Sequence, residues 1–489
     1  MQSPQLLKSM THLQHLAIGL LLYLACHSNG NSIKPNVLFI MADDLRPDLS
    51  CYGIKAITPN IQKLSDSGIT FQKAYCQQAL CNPSRSSMLT GLRPDSLLQW
   101  NNGSHFRERN PNVPTIPSVF KNNGYETRCV GKIFHNWHTK IKGDPTSWSK
   151  PEYLHYENHG NDKATINPKG STNLAKSPKC ECLDVPDEAY FDGRISREAV
   201  NALIDCKDKP FFLAVGFWKP HAPFNAPKKY WDLYPEYSIS FPDLSRPENA
   251  PEIAFHDSRE LLGMPPNQAK LTRENILEMR RGYLANISYL DAQLGIIVEK
   301  LKELKLTEKT IIIFQGDHGY HLGEHGLWAK TSCFELDARI PLIISAPGIT
   351  PKTAISNSLV ESIDIFPTLM DLCHLPKPEK LDGISLLPVL KTPNNLVKNF
   401  AITQHPRPAY YDREPDNKPK VMGYSLRSAD FRYTEWRNWE NGNIIATELY
   451  DHRTDSKETK NLANSSEYIK EVTNLKIQLH KIHKPQANP

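Results

Sequence analysis

The chain has 489 residues, 39% hydrophobic and 23% charged, a balance that suits a folded protein and excludes bulk disorder. That length exceeds one small domain and suits a large domain with a smaller companion. A net charge of +5 and a pI near 8.5, without any dense Lys/Arg run, give nucleic-acid binding no footing.

Residues 1–28 read as a secretory signal peptide. Lys8 precedes an apolar run at 16–25, and small side chains follow at Cys26 and Ser28. The run is short for a membrane span, although an uncleaved anchor is the rival reading. No later stretch is apolar and long enough to span a bilayer, so no stable membrane insertion is expected. Secretory entry permits disulfides. Ten cysteines less Cys26 and Cys81 leave eight, which spacing alone cannot pair. Cys180-Glu181-Cys182 has no matching second pair, which argues against zinc. Sequons at Asn102, Asn286 and Asn464 are compatible with glycosylation, but Asn286 lies in a helical stretch just before Leu290.

Short apolar runs at 37–41, 211–215, 311–314 and 342–344 predict strands buried on both faces, as in a parallel sheet. Helical patterns fall between them. Thr58-Pro59 offers an N-cap and a first-turn proline. Ile287, Leu290, Leu294, Val298 and Leu301 keep amphipathic spacing. The alternation predicts an α/β fold with helices on both sheet faces. Three strands run straight into reactive side chains: Asp43 and Asp44, His221, and Asp317 with His318. Ligands of open α/β sheets gather at carboxyl ends of strands, so these residues are expected to share one site. Residues 138–190 and 235–270 read as long loops or insertions, which either shape a substrate mouth or are plain surface excursions. The domain expectation is a catalytic unit at 34–390 and a smaller α+β unit at 394–489. In the latter, residues 426–433 and 444–450 supply strand and turn, and 467–480 a terminal helix.

The sharpest motif is Cys81-Asn82-Pro83-Ser84-Arg85, followed by Met88-Leu89-Thr90-Gly91. It resembles the signature of the formylglycine-dependent sulfatase family. The resemblance implies an alkaline-phosphatase-like fold, with a large mixed, mostly parallel sheet, flanking helices and a smaller C-terminal domain. It also implies that a formylglycine-generating enzyme oxidises Cys81 in the endoplasmic reticulum. The chemistry explains the need. A serine that attacked sulfur would remain a stable sulfate ester, whereas a hydrated aldehyde carries two hydroxyls on one carbon. One attacks sulfur; deprotonation of the other expels sulfate.

By the same resemblance, Asp43, Asp44, residue 81, Asp317 and His318 surround one divalent cation, expected to be Ca²⁺ given the oxygen donors. Arg85 steadies the formylglycine, while Lys132 and Lys330 meet the sulfate. His135 assists elimination, and His221, in Lys219-Pro220-His221, protonates the leaving alcohol. Further segments resemble the branch that removes 2-O-sulfate from terminal iduronate of heparan and dermatan sulfate, usually in lysosomes. They include Val130-Gly131-Lys132-Ile133-Phe134-His135, Asp317-His318-Gly319-Tyr320, Gln404-His405-Pro406-Arg407-Pro408 and Met422-Gly423-Tyr424-Ser425. Lys330 and Arg407 are candidates to meet a uronate carboxylate, with a surface turn residue beside its prolines as the equal alternative for Arg407. Residues 347–361 and 376–382 look shorter than in the animal lysosomal enzymes, which bears on the sugar rather than the reaction. The alternatives are a sulfatase of another sugar or of aryl or alkyl sulfates, a phosphatase or phosphonate monoester hydrolase, and a silent metal-binding glycoprotein.

Overall fold

The apolar run at 37–41 forms the middle of strand β1 (Asn36–Asp43), buried along its whole length. A computed structural model describes residues 34–54, 56–135, 139–141, 143–153 and 180–486. The expected signal peptide lies outside the described residues, as does 154–179 within the first long excursion. The remaining strands of the main sheet are β2 (Ile69–Tyr75), β3 (Glu126–Gly131), β4 (Phe211–Pro220), β5 (Thr310–Gly316), β6 (Arg339–Ser345) and β7 (Ala354–Glu361). They form a seven-stranded sheet in the order β7-β2-β6-β5-β1-β4-β3.

β1 pairs in parallel with β4 and β5, β3 with β4, and β7 with β2. Only β6 runs against its neighbours, antiparallel to both β2 and β5. The run at 342–344 is therefore an antiparallel strand, not a parallel one: burial on both faces gives the same apolar run in either direction. Because β2 and β5 both oppose β6, the other six strands all end at the same edge of the sheet.

Alternation divides β1 between two cores. Leu38, Ile40 and Ala42 face one cluster, and Val37, Phe39 and Met41 face the other. The first cluster is closed by helices α4 (Phe191–Cys206) and α5 (Arg273–Glu303), the second by α3 (Ile116–Asn122) and α6 (Ile365–Leu372), taking α1 as Pro59–Asp66 and α2 as Cys81–Thr90. α5 is 31 residues long and starts at Thr272, whose hydroxyl accepts from Asn275 N. Its buried stripe includes Ile287, Leu290, Leu294, Ile297 and Leu301, so Ile297 takes the place expected for Val298, which is only partly buried. Thr58 is not a side-chain cap for α1. The Asp291 carboxylate of α5 accepts from Asn60 N and Ile61 N instead, at 3.0 and 2.7 Å.

A second, four-stranded antiparallel sheet joins β8 (Ala401–Arg407), β9 (Val421–Arg427), β10 (Phe431–Asn438) and β11 (Ile444–Asp451) in that order. The stretch 426–433 is thus the end of one strand, a turn and the start of the next. Helix α7 (Ile469–Ile482) packs Leu475 and Leu479 onto Met422 and Leu426. The sheets are tied together by Gln404 N to Gln77 O at 2.8 Å and by Arg432, which bridges Glu335 and Glu458 at 2.5 and 2.6 Å.

Among the described residues no cysteine is paired and no helix is long and apolar enough to cross a membrane. Asn286 is buried and donates to Gly282 O at 2.6 Å, leaving no room for a glycan, whereas Asn464 is exposed.

The second sheet carries a pH-dependent strain. Burial pushes the Glu448 carboxyl up to about 7, although the Tyr450 hydroxyl and Trp436 indole donate to it. The fold therefore favours the neutral acid. Its contribution is complete below the usual Glu range and is lost as pH rises through about 7. Gln mimics that neutral acid. Glu448→Gln is expected to raise stability at pH 8 by on the order of 2 kcal/mol and to change it little at pH 4.5, measured by denaturant unfolding at both values.

Candidate active site

The common edge of the parallel strands gathers the reactive groups. Asp43 ends β1, Cys81 opens α2 a few residues after β2, Lys132 follows β3, His221 follows β4, and Asp317 follows β5. Lys330 lies between β5 and β6. Helix α2 begins at Cys81 because Leu80 is extended and Pro83 fits a first turn, and it stops at Gly91, which adopts a positive φ of 70°. Its first turn is held from outside: Asn82 N donates to Asn102 Oδ1, and Asn82 Nδ2 to Asn101 O and Ser104 O.

Cys81 is buried, with Sγ 3.4 Å from both Asp43 Oδ1 and His318 Nε2. Donor atoms of Asp43, Cys81, Asp317 and His318 all lie within 4.8 Å of one another. Asp44 joins them through its backbone, whose N–H donates to Asp317 Oδ1 at 3.0 Å. His318 Nδ1 sits 2.9 Å from Gly319 O, and a carbonyl only accepts, so this nitrogen carries the hydrogen. Nε2 is therefore the ring nitrogen turned toward the cluster, 3.4 Å from Cys81 Sγ.

Arg85 ties the strand ends together. Its guanidinium reaches Asp317 Oδ2 at 2.8 Å, Asp43 Oδ1 at 3.3 Å and the carbonyls of Lys132 and Ile133. Lys132 Nζ donates to Asp43 Oδ2 and lies 5.0 Å from the centre of the Trp218 ring. Lys330 Nζ is 2.8 Å from Asp44 Oδ1. Asp44, Ala329 and Thr331 hold left-handed backbone, with φ of 62°, 70° and 89°. Such conformations cost non-glycine residues about 1–3 kcal/mol each and concentrate where side chains must be aimed.

Electrostatics separate the carboxylates. Burial pushes Asp43 up, but Lys132, His221, Arg85 and Lys330 outweigh it and hold the group well below its usual range. For Asp44 and Asp317 burial wins and both are raised. Burial and Asp43 push the Cys81 thiol up; Lys132, Lys330 and the bond from His318 together bring it below the ordinary value. Burial opposes a charge on His318, yet Asp317, Cys81 and Asp44 draw it up to about 10. Burial with Lys132 beside it keeps His135 neutral, and its Nδ1 is buried without a hydrogen-bond partner.

These groups fit a divalent cation. Three carboxylates and one imidazole converge in a water-poor cleft, and Asp44 Oδ2 is buried with no hydrogen-bond partner. A hard cation is the ligand such an oxygen lacks.

Three further residues change the site expected from sequence. Glu260 and Tyr410 enter it: Glu260 Oε1 is 2.7 Å from Lys330 Nζ and 3.4 Å from His221 Nε2, and Tyr410 donates to Oε2. Both come from irregular segments without a motif; the proline-rich excursion at 235–270 was the one hint for Glu260. Arg407 leaves it. Its guanidinium donates to the carbonyls of Ile253, Ala254, Thr331 and Pro406, so it is a buried strut and not a receptor for a carboxylate.

Residues 35–375 match the sulfatase family, most of the chain. The chain belongs to that family. Residues 323–485 also match the C-terminal region of N-sulphoglucosamine sulphohydrolases. Curated relatives include iduronate 2-sulfatase of Mus musculus, 35% identical over 91% of this chain and 93% of that one. The Homo sapiens enzyme is 34% identical over 92% and 96%. Choline-sulfatase of Rhizobium meliloti is 28% identical over 88% and 83%. Among solved structures, phosphonate monoester hydrolase from Silicibacter pomeroyi superposes with a TM-score of 0.76 at 22% identity, over 93% of this sulfatase and 96% of that chain. A protein solved with its substrate D-glucosamine-2-N,6-O-disulfate gives 0.73 at 22%, over 92% and 98%. These likenesses show that the sulfatase has the alkaline-phosphatase-like fold.

Proposed function

We propose that this sulfatase removes the 2-O-sulfate from terminal iduronate of heparan and dermatan sulfate, with residue 81 working as formylglycine beside a bound Ca²⁺. The observation that carries the reaction is Cys81 at the first turn of α2, with Asp43 and His318 each 3.4 Å away and Lys132 and Lys330 flanking the cleft. The iduronate assignment rests on relatives about one-third identical along nearly the whole chain.

The cysteine sulfur stands where an oxygen of the hydrated aldehyde would lie. A cation held by Asp43, Asp44, Asp317 and His318 would neutralise sulfate charge and make the attacking hydroxyl more acidic. The chain's own groups do the rest. Arg85 fixes the geometry of residue 81 through Asp43 and Asp317. Lys132 and Lys330 present ammonium groups to the sulfate oxygens, which lowers the repulsion facing a nucleophile. His135, kept neutral, is suited to accept the proton that triggers sulfate expulsion. His221 Nδ1 lies 2.6 Å from Ala222 O and so carries a hydrogen, while Nε2 faces the carboxylates of Glu260 and Asp44. Both ring nitrogens then carry hydrogen, and the imidazolium is ready to protonate a leaving alcohol.

In this reading a signal peptide delivers the chain to the lysosome or outside the cell, after a formylglycine-generating enzyme has acted. Residues 394–489 form the smaller domain that walls the pocket, reached through Tyr410. The test is a panel of terminal disaccharides: 2-sulfated iduronate, 2-sulfated glucuronate, 6-sulfated glucosamine and 4-sulfated galactosamine. The expected result is kcat/KM highest on the iduronate. Preference for either hexosamine sulfate would reject the sugar assignment and leave the sulfate-ester reaction standing.

A further inference from the structure

We propose that Glu260 is a positioning residue that aims His221 and Lys330 at the substrate, an inference that rests on the sulfate-ester reading above. One partly buried carboxylate meets three pocket side chains. Oε1 lies between the Lys330 ammonium at 2.7 Å and the His221 imidazole at 3.4 Å, and Oε2 takes the Tyr410 hydroxyl. Among the described residues, Lys330 and His221 each have one other hydrogen-bond partner. Lys330 Nζ has Asp44 Oδ1 at 2.8 Å, and the far side of the His221 ring has Ala222 O at 2.6 Å. Without Glu260, Nε2 of His221 keeps only Asp44 Oδ2, at 3.8 Å. An imidazole held at one nitrogen swings about that bond, and its other nitrogen then meets the ester oxygen less often.

The carboxylate is itself held firmly. It sits on a short helical turn, Arg259–Leu262, whose Arg259 is bonded to Asp257 and, at 2.6 Å, to Glu414. Ser258 accepts from Trp328 N at 3.0 Å, which stitches this turn to the segment carrying Lys330. Tyr410 follows β8 closely in sequence, so the clamp also couples the second sheet to the pocket. Among the described residues Glu260 is hydrogen-bonded neither to Cys81 nor to a cation ligand, and it acts through its neighbours.

The consequence is selective. A poor leaving group needs the proton from His221; an activated aryl sulfate hardly does. Glu260→Gln keeps the shape and should lower kcat on a sugar 2-O-sulfate by about tenfold or more, and kcat on an activated aryl sulfate by less than about threefold. Tyr410→Phe, which removes one anchor, should give a smaller loss with the same selectivity. In a His221→Ala background, Glu260→Gln should cost no more on the sugar than on the aryl ester, because the residue it works through is gone. Equal losses on both esters, or an undiminished extra loss on the sugar in the His221→Ala background, would overturn the inference alone. A wild type that hydrolyses neither ester would remove the underlying reading together with it.

Discussion

Serine at position 81 leaves the protein folded and stops turnover. The expected fall in kcat is on the order of 10⁴-fold or more, the scale seen when a nucleophile is deleted. Sulfur and oxygen differ little in size at a buried position whose hydrogen-bond partners among the described residues are Asp43 and His318, so the melting temperature should move by only a few degrees. The loss is chemical. A serine hydroxyl that attacked sulfur would be trapped as its sulfate ester, without the second hydroxyl that releases it. At most one alcohol per molecule is expected, with its sulfate retained on residue 81, measured as desulfated alcohol released in a stoichiometric time course. Sustained turnover by the serine variant would show that residue 81 is not the nucleophile.

The second large effect is expected at Asp317. Its carboxylate accepts from Asp44 N, His318 N and Arg85 Nε, at 3.0, 2.9 and 2.8 Å. Asp317→Asn keeps the volume but removes a charge from the cation cluster and from the Arg85 pair. Losing one partner of a buried ion pair costs about 3–5 kcal/mol when nothing replaces it, so some stability should go too. Cation affinity should fall by at least about 100-fold, since removal of mere outer partners already costs 10–100-fold. Metal content after dialysis against a fixed Ca²⁺ concentration, read alongside calorimetric titration, checks this without relying on activity. Full cation content in the variant would count against Asp317 as a ligand.

The legible parts of the fold were those whose residues face core on both sides. β1, β4 and β5 declared themselves because neither face of these strands meets water, and their carboxyl ends pointed to Asp43, His221 and Asp317. β2, Ile-Thr-Phe-Gln-Lys-Ala-Tyr, and β3 were not read, since each mixes polar and apolar side chains over a short span. The direction of β6 was illegible for a different reason: a strand buried on both faces has one pattern whether parallel or antiparallel. Thr58 and Pro59 hold the N-cap and first-turn places of α1 as expected, but the acceptor of its first N–H groups was illegible, because Asp291 comes from a helix more than two hundred residues away and no local rule sees it. The site shows the same split. Its motif-borne members were visible as Cys81, Arg85 and Lys132. Glu260 and Tyr410 were not, because irregular loops deliver them and only tertiary structure says where such loops end. Arg407 was open as a receptor for a carboxylate or as a surface turn residue beside its prolines, and it is neither: it is buried and nearby backbone carbonyls consume its donors.

The central claim is that residue 81 is an aldehyde in the working enzyme. Mass spectrometry of the peptide containing Cys81, from protein secreted by a eukaryotic host, addresses it directly. The expected result is the mass of formylglycine at that position in the active fraction, and its capture by a hydrazide probe. An unmodified thiol throughout fully active protein would contradict it.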